Sequence, residues 1–501
     1  MERYVTGILN RFSMYKVVSL SLTGLFVAAL ILSFVGILPY SPLAMLASVL
    51  VLGFSVFLAS LLFGKLFGVR VHTESSFITP MILFFIFTPT LEVSGLVVLA
   101  LIGLTAAASK FILVYKGRHL FNPVAIATLI TSVTGLGYAT WWVATPSLIL
   151  ITLALGYLVI QKTRRVHMSG TFMGLSVLIV IGLLLGEGNS LPESLILLFS
   201  WPIFFFSAFM LTEPLTMPPK KWQQVVEAVV VAILFAIPIH FGDFVTGPAF
   251  ALVAGNLLAF IFRRQQHVSL KFKQMKQLTP TSFEFIFTPL KKISYEAGQY
   301  VEMTLPHKKD DLRGVRRSFS MTSAPGEKTL RLGVKFYEPS SSFKKALKSL
   351  EAGSTVQLTG INGDFTLPKD SSTPLLFIAG GIGITPFMSH LQHLKRIHEQ
   401  RDIILLYAVS DISEIAYKDI LIETGVKVVV VTKESKGFVL PAGWSLAKEP
   451  YVTKEVIEKY VPHVIERMVY ISGPPLMIDG AKRFLKQLKV KHIKTDYFIG
   501  Y

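Results

Sequence analysis

The chain has 501 residues, a net charge of +18 at neutral pH and no cysteine. A mean hydropathy of +0.56 is too high for an ordinary soluble protein. The missing cysteine excludes disulfides and cysteine-held iron–sulfur clusters within the chain.

The apolar bias is uneven. Residues 1–262 carry 13 Lys and Arg against 8 Asp and Glu, and the remaining 239 carry 36 against 23. The first half reads as membrane and the second as soluble and basic. No nucleic-acid module accompanies the positive charge, so it is assigned to anionic lipid or anionic cofactors.

Apolar stretches at 17–37, 43–64, 94–115, 144–161, 169–187, 193–213 and 223–241 are long enough to cross a bilayer. Shorter ones lie at 76–89, 121–138 and 246–262. Together they predict about ten spans. Alternate loops hold Lys65 and Arg70, Lys116 and Arg118, Lys162, Arg164 and Arg165, Lys220 and Lys221, and Arg263 and Arg264. The other loops, including "GLGYATWWVATP", have neither Lys nor Arg. By the positive-inside rule the expectation is a multi-pass protein of the cell (inner) membrane, with both ends of the membrane domain in the cytoplasm. The N-terminal apolar run is too long for a cleavable signal peptide.

An internal echo runs through this half. "ILFFIFTPT" resembles "FSAFMLTEPLT", and "FNPVAIATLI" resembles "GPAFALVAGNLL". Pro89 and Pro214 stand 125 residues apart, as do Pro123 and Pro248. Five spans separate the partners, which predicts an inverted repeat with proline-broken half-helices near the bilayer middle. The free ends of such helices suit a polar or anionic ligand. His72, His119, His167 and His240 sit at loops or span ends, which does not suit a haem pair.

Three of these stretches, "GRHLFNPVAI", "MLTEPLTMPP" and "GPAFALVAGN", resemble the membrane-protein family common to the Rnf electron-transport complex and the sodium-pumping NADH:quinone reductase. The resemblance covers about 15–265. It implies electron transfer in the membrane, with FMN, riboflavin or a quinone expected near Asn122, Thr212 and Glu213. Members join FMN to a threonine in an Asp-x-x-Ser-Gly-Ala-Thr-like stretch. Here "VHMSGTFMG" keeps Ser169, Gly170 and Thr171 but lacks the Asp and the Ala. Thr171 is the candidate flavin attachment; the alternative is a small-residue helix start with Ser169 as its N-cap.

From 268 to about 367, short strands and turn signals predict a small antiparallel barrel. From 372, the runs "PLLFIAG", "DIILLYAV", "VKVVVVT" and "MVYISG" alternate with helical stretches and predict a parallel α/β sheet. In "LFIAGGIGITPFM" a buried strand meets Gly380, Gly381 and Gly383 and then a helix. Such a turn lets backbone approach a phosphate, and the helix N-terminus faces the charge.

"RRSFSMTS", "YEAGQY", "GINGDFTLP" and "YISGPPLM" complete a set in the order of the ferredoxin–NADP reductase family, which this half resembles over about 268–501. The resemblance implies FAD and a nicotinamide nucleotide. Arg317 would pair with flavin phosphate, Phe319 takes the place of the tyrosine flanking the isoalloxazine, and Ser320 would bond near the reactive nitrogen. Ser318 and Tyr300 fall within the same flavin-binding stretches. Ser341 or Ser342 would hold the pyrophosphate. Ser472 replaces the family's cysteine beside the nicotinamide and, with Ser320, is the candidate catalytic residue. Thr385, Pro386, Gly473 and Pro474 line the nucleotide side, and Phe498 or Tyr501 would stack on the flavin. Asp411 stands where NADPH users often have Arg; it would repel a 2′-phosphate and accept from a ribose hydroxyl, so NADH is expected.

The reading is a multidomain chain. A polytopic α-helical membrane domain (1–265) is followed by an antiparallel β-barrel flavin domain (266–368) and an α/β parallel-sheet nucleotide domain (369–501). Its expected function is to oxidise NADH or NADPH through FAD and pass electrons to a flavin or quinone in the membrane, and onward to quinone or an extracytosolic acceptor. The alternative is a transporter or ion pump regulated by or coupled to the redox domain, with Glu213 and Asp243 near helix breaks.

Overall fold

The computed structural model describes residues 8–68, 73–115, 118–242, 244–262, 268–308, 310–433 and 439–497. The chain divides into two compact units, Met1–Arg264 and Gln265–Tyr501.

The first unit is helical: α1 (Met14–Phe34), α2 (Pro42–Leu66), α3 (Thr73–Ile86), α4 (Val93–Ile112), α5 (Pro123–Val133), α6 (Ile149–Thr163), α7 (Val166–Gly186), α8 (Leu191–Leu198), α9 (Ile203–Leu211), α10 (Lys221–Ala236) and α11 (Pro248–Phe262). Helix starts follow the sequence chemistry. Ser13 and Ser41 cap α1 and α2, and Ser190 with Glu193 forms a capping box on α8. Each apolar stretch does contain a helix, but ten crossings are not what their lengths support. Among the described residues, only α1, α2, α4 and α7 are long and apolar enough to cross, with the bent pair α8 and α9 as a fifth. The 15 residues of α11 rise about 22 Å, short of a ~30 Å hydrocarbon core.

Part of "GLGYATWWVATP" folds against the helices, with Trp141, Trp142 and Val143 buried. Helix α3 is short, so its last carbonyls end inside the unit and need donors. Thr140 and Trp141 backbone N–H groups donate to Ile86 O at 2.9 and 2.8 Å, and Trp142 Nε1 donates to Phe84 O at 2.6 Å. One sequence expectation is corrected here: Ser169 does not cap α7, for the helix begins at Val166 and Ser169 lies inside it.

The matched prolines occupy matched places. Pro123 and Pro248 open the short helices α5 and α11, while Pro89 and Pro214 follow the ends of α3 and α9.

The second unit begins with β1 (Val268–Gln277), β2 (Ser282–Pro289), β3 (Tyr300–Thr304), β4 (Arg316–Ser320), β5 (Leu330–Lys335), α12 (Ser342–Lys348) and β6 (Thr355–Asn362). The strands form an antiparallel sheet in the order β4-β3-β6-β1-β2-β5. A Met321–Leu332 bridge joins its edges into a barrel around Phe285, Phe287, Val301, Met303 and Phe343.

Next come β7 (Leu375–Gly380), α13 (Thr385–Arg396), β8 (Ile403–Ala408), α14 (Lys418–Thr424), β9 (Lys427–Val431), β10 (Trp444–Ala447), α15 (Lys454–Tyr460), β11 (Met468–Gly473), α16 (Pro475–Gln487) and β12 (Ile493–Tyr497). They build a parallel sheet ordered β10-β9-β8-β7-β11-β12. Alternation on β7 feeds two apolar layers. Phe377 packs with Phe387 and Tyr407 on one face, and Leu376 and Ile378 pack with Ile457, Ile478 and Leu485 on the other. Strand order reverses between β7 and β11, and the carboxyl ends of those strands are where an open α/β sheet holds a ligand.

Candidate functional site

At that reversal the glycine turn and "SGPP" meet. β7 ends at Gly380, a single 3₁₀ turn spans Gly381–Ile384, and α13 starts at Thr385 with Pro386 behind it. The glycines are required for different reasons. A Cβ on Gly383 would strike Ser472 O and lie 2.7 Å from Gly473 Cα. One on Gly380 would come 2.9 Å from Pro474 Cδ. Gly381 has φ +53°, and its Cβ would point into open space. Two backbones are thus pressed together while a third position faces an opening, which is the shape a phosphate needs.

Beside the opening, Ser320 Oγ donates to Asp496 Oδ2 at 2.9 Å. Asp496 lies opposite Ser472 in the β11–β12 register. Ser472 is fully buried, and its hydroxyl has no hydrogen-bond partner among the described residues. Tyr300 stands opposite Ser320 in the β3–β4 register, and its ring would lie 3.1 Å from a Cβ on Gly363. The fold therefore brings together Tyr300, Ser320, Ser472, Gly473 and the glycine turn. Asp496 was missed by the sequence reading. Its signal is faint: an acidic residue on the last described strand, placed only by the parallel register.

On β4, Arg317 and Phe319 share a face, and Ser318 is exposed on the other. The Arg317 guanidinium sits 5.2 Å from the Phe343 ring centre and the Phe319 ring 5.8 Å from it. Arg317 donates to the Arg313, Gly314 and Arg316 carbonyls at 2.7–2.9 Å and pairs with Asp311 at 3.3 Å. Asp311 also accepts from Ser342 N at 3.1 Å, while Ser342 Oγ accepts from Asp311 N at 2.9 Å. Ser341 caps α12 by accepting from Lys344 N. Asp311 is a second residue the sequence reading missed; it ties the arginine to the serines. Burial works against its charge, but N–H bonds from Arg313 and Ser342 and the Arg313 guanidinium hold its carboxyl below the usual range. Burial, then Arg313 and Arg317, push the Lys344 ammonium down to about 8. Three cations gathered on one face make a place that an anionic pyrophosphate relieves.

Asp411 follows β8 and accepts from Ser413 N at 2.7 Å and from Ser413 Oγ, bonds that hold its carboxyl below the usual range. It stays charged at the end of β8. Three residues on, Glu414 takes a Lys335 ion pair at 2.8 Å and a Thr281 hydroxyl at 2.7 Å, tying this turn to the barrel. Phe498 and Tyr501 lie outside the described residues, as does Asp243.

In the helical unit, Asn122 caps α5, its Oδ1 accepting from Val124 N and Ala125 N at 3.0 and 3.2 Å. Its backbone N donates to Asn256 Oδ1 at 2.7 Å. The Asn122 side chain lies beside the Glu213 carboxyl, which accepts from Thr216 Oγ1 at 3.2 Å. Thr212 back-bonds to Ala208 O at 2.8 Å. Asn122, Thr212 and Glu213 therefore stand together. Thr171, partly exposed on α7, takes no part in their hydrogen bonds among the described residues.

Two family models match the chain. An oxidoreductase FAD-binding domain covers residues 268–367 and an oxidoreductase NAD-binding domain covers 377–483. Among curated relatives, the propane 2-monooxygenase reductase component of Rhodococcus jostii is 27% identical over 230 residues, which are 44% of this chain and 60% of that protein. An oxidoreductase NAD-binding domain-containing protein of Pongo abelii is 29% identical, over 41% of this chain and 69% of its own length. The chain spans about six tenths of the length of the propane monooxygenase reductases it matches. A ferredoxin NADP+ reductase from Neisseria gonorrhoeae superposes with a TM-score of 0.39 at 20% identity, over 47% of this chain and all of that one. The glycine opening, the cationic face by α12 and the two domain matches agree, and the C-terminal half of this chain is an oxidoreductase unit made of an FAD-binding domain followed by an NAD-binding domain.

Proposed function

We propose that the chain oxidises NADH through FAD held in its C-terminal half and delivers the electrons to a flavin or quinone held in its membrane half. The observation that carries this reading is the convergence of Ser320, Asp496 and Ser472 at the strand reversal. FAD, when bound, takes an electron pair from the nicotinamide and hands electrons on singly. The chain's own residues do the rest. Arg317, with Ser341 and Ser342 beside it, holds the pyrophosphate, and Phe319 and Tyr300 flank the ring. Ser320, fixed by Asp496, meets the ring's reactive edge. Gly380, Gly381 and Gly383 admit the nicotinamide nucleotide, Thr385 and Pro386 set the helix behind it, and Ser472 offers its unpartnered hydroxyl to the nicotinamide. Asp411 selects NADH by repelling a 2′-phosphate.

Support for the second leg is the likeness of "GRHLFNPVAI", "MLTEPLTMPP" and "GPAFALVAGN" to the membrane proteins of the Rnf complex and the sodium-pumping reductase, and the clustering of Asn122, Thr212 and Glu213 from those stretches. Four long apolar helices are compatible with a lipid setting. The test is cofactor extraction from the full chain, with flavin released by acid counted against flavin retained covalently, alongside NADH- and NADPH-driven dye reduction. The expected result is acid-released FAD, a second flavin or a quinone, and a preference for NADH. A preparation without flavin, or without NADH-driven reduction, overturns the reading.

A further inference from the structure

Glu227 lies in the middle of α10 and is fully buried. Neither of its carboxyl oxygens has a hydrogen-bond partner among the described residues. The contrast with the unit's buried cation is plain. Lys110, on α4, donates to Ser75 O at 3.1 Å, Ser75 Oγ at 3.0 Å and Thr79 Oγ1 at 2.7 Å. Lys110 is provided for and Glu227 is not.

Close packing of α10 on α11 creates this setting. A Cβ on Gly255 would strike Val231 and lie 3.4 Å from Glu227 Cγ, so a small residue is what lets the two helices approach. Asn256, the next residue on α11, lies against the Glu227 carboxyl; its Oδ1 is committed to the Asn122 N–H at 2.7 Å, so its amide Nδ2 is the one donor it can offer there. From the start of α7, Arg165 reaches Gln224, one turn before Glu227, at 3.3 Å, and His167 sits at the same end. Glu227 thus ends a polar row whose other members are Asn256, Asn122 and the partly exposed Glu213.

An unpartnered carboxylate sealed from water is strongly disfavoured, and a proton or a bound cation removes that penalty. A cation needs several oxygens at once. The amide oxygens of Asn256 and Gln224 are already engaged, and the described residues hold no cluster of three or more His, Asp or Glu side chains for a metal ion. We propose that Glu227 is a proton-binding site of the membrane half and carries its proton at neutral pH.

Dicyclohexylcarbodiimide, an apolar reagent that couples to a protonated carboxyl, tests this on the full chain in lipid vesicles. At about pH 8, where ordinary carboxyls are ionised, the expected result is an adduct on the Glu227 peptide and none in Glu227→Gln. Glu227→Gln, a neutral mimic, should also melt within about 2 °C of the parent between about pH 6 and 9, and that comparison decides where the reagent fails to reach the site. An adduct-free Glu227 together with a pH-dependent melting difference overturns the proposal. Protection by sodium also overturns it, in favour of a cation. NADH-driven dye reduction on the same preparation separates this outcome from failure of the electron-transfer reading, on which the protonation does not depend.

Discussion

Ser320 has a single well-placed task in the described structure. It is buried, its hydroxyl is given to Asp496, and the strand register sets Ser472 beside that carboxylate. Ser320→Ala removes the donor without changing the strand, since a serine this small leaves little cavity. Positioned groups of this kind are worth about 10²-fold in rate. The expected outcome is a drop of about that size in kcat for NADH-driven dye reduction, with FAD content retained. Stopped-flow reduction of the bound flavin by NADH locates the loss in the first electron transfer. Asp496→Asn should fall in the same direction, because an amide in that place meets the Ser320 hydroxyl with a donor as well as an acceptor. Serine at this place was readable from "RRSFS", which carries its meaning within a few residues. Asp496 was not, because its partner lies 176 residues away and only the order of the parallel strands brings the two together.

At the scale of elements, the strand–turn–helix at β7 was legible because its requirement is local and steric. Glycines directly after a buried strand mean close backbone approach wherever the rest of the chain goes. The structure separates their roles and so predicts different defects. Gly383→Ala drives a methyl into the Ser472 carbonyl and the Gly473 backbone. It should destabilise the second unit by about 1–3 kcal/mol and disturb the β7–β11 contact itself. Gly381→Ala meets no atom, though its positive φ costs about 1 kcal/mol. Its methyl stands where a phosphate would come, so KM for NADH should rise while the fold is kept. Denaturant melts and steady-state kinetics on both variants check this; equal KM values for the two would contradict the assignment of the opening. Helix lengths in the first unit were less legible. A hydropathy window counts apolar residues but not how many of them are helical. α3 can end at Ile86 inside the unit because Thr140, Trp141 and Trp142, distant in sequence, donate to its last carbonyls.

Over the whole molecule, each unit closes its own apolar core. One is built around Phe84, Phe85, Phe172 and Phe206, the others around the barrel and the two faces of the parallel sheet. A change confined to one core should therefore leave the other's chemistry intact, which makes the two legs of the proposed electron path separable by mutation. Asn122 is the place to cut. Its side chain caps α5 and lies beside Glu213, and its backbone joins α5 to Asn256 on α11. Asn122→Ala keeps the backbone bond but removes the cap and the Glu213 contact, at a cost of about 1 kcal/mol in helix stability. If Asn122 holds the membrane redox group, this variant should retain NADH-driven reduction of a water-soluble dye at the FAD-bearing unit. It should lose the second flavin or quinone from the extract, and with it electron delivery to a quinone analogue in vesicles. Because the dye draws electrons before the membrane leg, the ratio of the two rates in one preparation reads the cut directly, whatever fraction of the protein is active. An unchanged ratio with unchanged cofactor content would remove Asn122 from the path and, with it, the placement of the membrane redox group at the proline-opened half-helices.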